Sequence, residues 1–198
     1  MSKPQAKVLL DSITSEGDRI TTVEVTHHRF ILAETNTHRA LSRNSASSRA
    51  IPLDKMVDRF EKNPAYPAAW RAEQSGMQGG GDLNEGDQEL ARLLFENWAK
   101  STDGLILKYV ELLADIYGDD WKKHALHKSW INRLMEPMQW HTAIWTFDFN
   151  LFFNFLNQRF HPDAQPEFYE LMKVLIPVLE ESEPNVLLDG EWHMPLIS

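Results

Sequence analysis

Cysteine is absent from all 198 residues, which excludes disulfides, zinc–thiolate centres and a thiolate nucleophile together. No run of eighteen apolar residues occurs, so no transmembrane helix is expected. The opening stretch MSKPQAKVLLDSITSEGDR has neither the apolar segment nor the small-residue cleavage site of a signal peptide, and a cytoplasmic protein is expected. Positive charge is in short supply, with 20 Lys and Arg against 29 Asp and Glu for a formal net charge of -9. A chain this acidic repels DNA and anionic membranes, which argues against nucleic-acid and membrane partners. An anionic ligand must then be caught by a local cluster. Arg29, Arg39, Arg43 and Arg49 supply one, with Glu34 as the single opposing carboxylate.

A hydrophobic content of 42% is enough for a packed core, and the length suits one domain spanning 1–198. Residues 6–10 and 20–25 are rich in β-branched and apolar residues and read as strands. A short helix is expected from Phe30 to about Leu41, followed by a loop in which Ser42, Ser45, Ser47 and Ser48 compete for backbone hydrogen bonds. Helical spacing resumes after Pro52 at Leu53, Met56, Val57 and Phe60. Residues 63–89, with Pro64, Pro67 and the tract Gly79-Gly80-Gly81, read as a long irregular loop. A long amphipathic helix is expected over 89–117 with a bend at Gly104, and a second helix over 121–135 that stops before Pro137. Residues 142–149 read as a strand, and 151–160 and 167–180 as helices, the last ended or kinked by Pro177. Strands and helices do not alternate regularly, so the fold class is α+β: one small β-sheet with several helices.

The richest segment chemically is Thr37–Arg49, THRALSRNSASSR. Arginines present forked donors to phosphate, and serine hydroxyls with loop amides complete a phosphate cradle, but an arginine- and serine-rich solvated turn has the same composition. His124 and His127 are three apart on an expected helix; beside Lys122, Lys123 and Lys128 they read as a solvated face, with no third ligand for a metal. The glycine tract lacks the Lys-Ser/Thr of a phosphate-binding loop. The aromatic cluster around Trp140, Trp145, Phe147, Phe152 and Phe155 reads as core or subunit interface.

Thr37–Arg49 resembles the signature of the flavin-dependent thymidylate synthases, R-H-R-x-x-S-x-N-x-x-S-x-R. His38, Arg39, Ser42, Asn44, Ser47 and Arg49 stand at its defined places and Thr37 replaces the leading arginine. A second region is similar to the same family: Arg133 four residues before Pro137, then Asn154-Phe155-Leu156-Asn157-Gln158-Arg159, then Ala164-Gln165-Pro166-Glu167. The resemblance covers roughly residues 20–52 and 130–170. It implies FAD contacts from His38, Arg39 and Asn154, nucleotide phosphate on Ser47 and Arg49, nucleotide contacts from Arg133, and Arg159 beside the pyrimidine as the catalytic group assisting ionisation of the ring.

The implied reaction is one-carbon transfer to C5 of a pyrimidine deoxynucleotide monophosphate, dUMP to dTMP, with FAD, NADPH and methylene-tetrahydrofolate, in a homotetramer whose sites are shared between chains. Other thymidylate synthases attack with a cysteine; this chain has none. Departures at four places leave alternatives open, the first being Asp148 and Asn150, which stand where the family often has asparagine and arginine against the flavin. Thr37 removes one charge, Glu34 stands where the family has a glutamine near the nucleotide, and residues 11–22 lack the histidine of the family's H-x-T-P-F-E-H stretch. Hydroxymethylation of dUMP or dCMP, and a catalytically silent nucleotide- or flavin-binding relative, are the alternatives.

Overall fold

The computed structural model describes residues 3–76 and 79–197. Met77 and Gln78, inside the loop expected at 63–89, lie outside the described residues, as do Met1, Ser2 and Ser198. The chain begins with a hairpin of β1 (Gln5–Thr14) and β2 (Arg19–His28). Its turn closes through Thr14 N–H to the Asp18 carbonyl at 2.9 Å, with Gly17 at φ 95°, a conformation that costs a side-chain-bearing residue. β3 (Ser42–Ser45), β4 (Trp140–Asp148) and β5 (Asn185–Leu187) complete a five-stranded sheet in the order β3-β4-β2-β1-β5. Every pairing is antiparallel except β1 with β5. The result is the expected α+β class.

Register explains the core. β2 and β4 place Val23 opposite Trp145 and Val25 opposite Ala143, so the period of two sends all four to one face. That face is covered by α6 (Phe149–Arg159) and α7 (Pro166–Glu180), which add Phe152, Phe155, Phe168, Leu171, Met172 and Leu175. The aromatic cluster of the sequence is thus largely core, although Phe153 remains half exposed. Asp11 fastens the sheet to the end of α7. It accepts from Arg19, Thr21 Oγ1 at 2.9 Å and Ser182 Oγ at 2.7 Å, and these bonds outweigh its burial and hold its carboxyl below the usual range.

A second core forms where α2 (Leu53–Lys62), α3 (Glu85–Tyr117) and α5 (Lys128–Met135) pack through Met56, Phe60, Ala99, Ile106, Ile131 and Met135. Asn84 caps α3, its side chain accepting from Asp87 N–H at 3.0 Å. The 33-residue helix runs unbroken through Gly104. Leu90, Leu105 and Ile116 stand about two-thirds exposed along it, an apolar face that no described residue covers.

Several local expectations are corrected. The helix expected over 30–41 shrinks to a 3-10 turn at Arg29–Ile31 followed by α1 (Leu32–Thr35). The serine-rich stretch supplies β3, because the open edge of β4 offers backbone partners that outweigh the local preference of serine for loops. The helix expected over 121–135 splits into α4 (Trp121–His124) and α5; His127 caps α5 by accepting from Ser129 N–H, and His124 stacks on Tyr117 at 3.7 Å. Pro177 lies inside α7 without ending it.

The expected loop is ordered at both ends of its described part. Ala65 N–H reaches the Met138 carbonyl at 2.8 Å, Ala68 N–H reaches buried Glu167 Oε1 at 2.8 Å, and His28 Nε2 donates to the Tyr66 carbonyl at 2.8 Å. Further on, an antiparallel bridge joins Arg71 to Asp82.

Candidate functional site

The two motif regions, far apart in sequence, meet at one point. Arg159, on the last turn of α6, donates from Nε at 3.0 Å and from Nη2 at 2.7 Å to His38 Nε2. A guanidinium only donates, so Nε2 must be the bare acceptor nitrogen and the ring proton sits on Nδ1. Burial pushes the His38 pKa down, and the Arg159 and Arg43 charges push it further the same way, so the ring is held neutral. His38 also stands edge-on to Phe155 with ring centroids 4.7 Å apart.

Arg159 is restrained on three sides. His38 holds one edge, the Phe168 ring lies 4.4 Å from its guanidinium carbon, and Glu34 Oε2 is 3.9 Å from Nη1. Such restraint removes rotamer entropy that ligand binding would otherwise cost. Arg43, which the sequence grouped with phosphate-binding candidates, is spent on structure. It donates to the carbonyls of Thr35 at 3.0 Å, Asn36 at 3.2 Å and His38 at 2.6 Å, and so shapes the segment that presents His38. Thr37, in the place of the signature's first arginine, donates to the Glu34 carbonyl at 2.7 Å.

The remaining sequence candidates surround this centre without being joined to it. Arg39 is exposed and makes no hydrogen bond or ion pair with any described residue. Asn154 is exposed on α6. Ser47 and Arg49 lie on an exposed turn after β3, where Ser47 Oγ accepts from Arg49 N–H at 3.3 Å and the guanidinium makes no hydrogen bond or ion pair with any described residue. Within one chain the structure does not bring Arg133 to this turn: it is exposed and stacks over Trp130 at 4.7 Å. Its neighbour Asn132, buried one position earlier on α5, reaches the turn instead and donates to the carbonyls of Ser48 at 2.8 Å and Ile51 at 3.1 Å.

A buried polar layer at the far end of β2 and β4 escaped the sequence reading. His27 and His141 face each other across the strands, with ring centroids 5.3 Å apart. Arg29 Nη1 donates to His141 Nδ1 at 2.9 Å, and His27 Nδ1 donates to the His28 carbonyl at 2.7 Å. Burial pushes His27 down to about 4 and His141 down to about 3, so both are neutral at pH 7. Strand alternation was the one available signal, since His27 and His141 share the inward parity of Val25 and Ala143.

No family model and no curated protein sequence matches the chain. Among solved structures it is similar to the UMP/dUMP methylase PolB from Streptomyces cacaoi bound with 5-Br UMP. The TM-score is 0.56 and the identity 12%, over 91% of this chain and 93% of that one. The same enzyme bound with 5-Br dUMP scores 0.49 at 11% identity, over 90% and 94% of the two chains. Thymidylate Synthase X (ThyX) from Helicobacter pylori with FAD and dUMP scores 0.46 at 20% identity, over 81% of this chain and 67% of that one. On the first of these likenesses, the protein has the fold of the UMP/dUMP methylase PolB.

Proposed function

We propose that this protein is a flavin-dependent enzyme that transfers a one-carbon unit to C5 of a pyrimidine deoxynucleotide monophosphate, dUMP to dTMP. The observation that carries the reading is the His38–Arg159 contact at 2.7 Å. It joins the arginine- and serine-rich segment to the N-F-L-N-x-R helix at the two residues the family resemblance assigns to flavin and pyrimidine.

The residues suit an FAD molecule: His38 keeps a free Nδ1–H donor, and Arg39 and Asn154 are exposed with side chains unspent on the chain itself. When bound, FAD supplies the hydride and mediates the one-carbon transfer from methylene-tetrahydrofolate, with NADPH as the reductant. The chain supplies position and charge. C5 of uracil is a poor nucleophile, and with no cysteine to add at C6 the ring must be activated electrostatically. Arg159, restrained by His38 and Phe168, stabilises negative charge that develops on the pyrimidine. Ser47 and Arg49 fix the phosphate with Arg133 as a further contact, and in a homotetramer with shared sites Arg49 and Arg159 serve one nucleotide from different subunits. Glu34, 3.9 Å from Arg159, favours a second reading in which the base is cytosine, because a carboxylate accepts from an exocyclic amine.

Incubating reduced, flavin-loaded protein with dUMP or dCMP and methylene-tetrahydrofolate, then weighing the product, separates methyl from hydroxymethyl and uracil from cytosine. A colourless protein that takes up no flavin at micromolar concentration and forms no product on either nucleotide overturns the reading.

A further inference from the structure

A cavity of about 370 Å³ lies behind the serine turn, between α2 and the end of β4, away from the His38–Arg159 contact. The geometry points to this cavity as a second ligand site, for a small molecule with an oxyanion head and an apolar body. This does not depend on the flavin reading.

Its charge is the first reason. The chain as a whole carries -9, yet the cavity wall presents Arg29, Arg59 and Lys62 against the single carboxylate Asp58. Lys62 and Asp58 satisfy each other at 2.5 Å. Arg29 is fixed between His141 Nδ1 at 2.9 Å and Glu136 at 3.4 Å, which partly neutralises it. Arg59 is the exception: its guanidinium makes no hydrogen bond or ion pair with any described residue. With Lys62 paired to Asp58 and Arg29 paired to Glu136, one net positive group faces the cavity, the unspent Arg59.

The polar groups of the wall are the second reason. Gln139 Nε2, Trp140 Nε1 and His141 Nε2 are buried and have no hydrogen-bond partner. Ser48, only 6% exposed, makes no side-chain hydrogen bond with any described residue, and its backbone is pinned by Asn132. The three unpartnered nitrogens are closed off from the cavity by the packing around them, so Arg59 and the Ser48 hydroxyl are the polar groups a ligand meets. A ligand rich in acceptors matches them; a cation does not.

The third reason is shape. Met56, Phe60 and Met138 line the cavity beside the donors, and the volume exceeds what a bare phosphate fills, lying in the range of small-molecule sites. An aryl or alkyl phosphate places its head on Arg59 and Ser48 and its body against these three side chains.

Phenyl phosphate is the probe. Titrated into the full chain labelled at the indole nitrogens, it should shift the Trp140 Nε1–H signal, identified by its loss in Trp140→Phe. Inorganic phosphate should move the same signal about tenfold more weakly, because the ring is no longer buried. Arg59→Ala should raise the midpoint at this signal about tenfold or more, and Arg59→Lys should recover part of the loss. Arg49→Ala, on the outer face of the turn, should leave it unchanged. A Trp140 signal that stays still up to roughly 10 mM phenyl phosphate, or a midpoint that ignores Arg59→Ala, overturns the proposal. Either failure leaves the nucleotide reaction untouched, since that is read from product mass.

Discussion

Acidification from pH 7 to pH 5 tests the buried histidine layer directly. In the unfolded chain a histidine titrates near 6.5; in the fold His27 is held down to about 4 and His141 to about 3. Between those values the unfolded state binds protons that the folded state refuses, so stability rises with pH across the window. The stabilisation is fully present above 6.5 and is lost as pH falls toward 4. At pH 5 neither ring is protonated in the fold while both are almost fully protonated in the unfolded chain, so their effects add. Each histidine then removes about 1.8 kcal/mol relative to pH 7, and the pair about 3.5 kcal/mol. Against a typical total of about 5–15 kcal/mol this is a large fraction. Both side chains are buried, so solvent screening does not dilute the figure. Asp11 does not interfere, because its lowered pKa places its own transition below this range. Urea unfolding followed by far-ultraviolet circular dichroism at pH 7, 6 and 5 supplies the test, with His141→Gln as the second arm. The glutamine oxygen can still accept from Arg29 but cannot titrate, so that variant should lose His141's share of about 1.8 kcal/mol, while His28, His38 and His193, also held below the ordinary histidine value, keep theirs. Equal stability at pH 7 and pH 5, or an undiminished slope in His141→Gln, refutes the account of a neutral buried pair.

Three further outcomes are expected. Arg49→Ala should weaken dUMP binding about ten- to a hundredfold, the loss of one charged hydrogen bond to phosphate, while Lys123→Ala changes nothing in the same calorimetric titration; normal binding by Arg49→Ala removes this turn as the phosphate site. His38→Ala should free Arg159 and lower kcat more than it raises KM for the nucleotide, and His38→Gln, which keeps an acceptor oxygen, should restore part of it; equal effects of the two variants defeat the positioning role. Phe155→Ala, at the junction of His38, Trp145 and Phe168, should cost about 3–5 kcal/mol in urea unfolding, and a loss below about 1 kcal/mol would show that the core does not depend on it.

By itself the sequence determined the fold class, the main strands and helices, and the residue types at the candidate site. Period-two runs such as 20–25 and helical spacing such as Met56, Val57 and Phe60 reflect burial on one face, and burial is written into residue identity wherever an element is long enough to show its period. The resemblance of Thr37–Arg49 and Asn154–Arg159 to one family was likewise legible, since spacing along the chain survives without coordinates.

What belongs to tertiary structure alone is every decision in which a distant partner outvotes a local preference. Ser42–Ser45 became a strand because β4 has an edge to fill. The loop beyond Asn63 is tied down by Glu167, His28 and Met138, none of them near it in sequence. Arg43 looked like a ligand for phosphate and is bound to three carbonyls of its own chain. Arg133 and Asn132 differ by one position, yet a rotation of about 100° on a helix sends one to solvent over Trp130 and the other under the serine turn. The neutral state of His38 was invisible in the motif that contains it, because it is set by burial in the packed chain, with the charge of Arg159, 121 residues away, adding to it. Charge state and hydrogen-bond direction depend on distances of a few ångströms, and only the packed chain sets those distances.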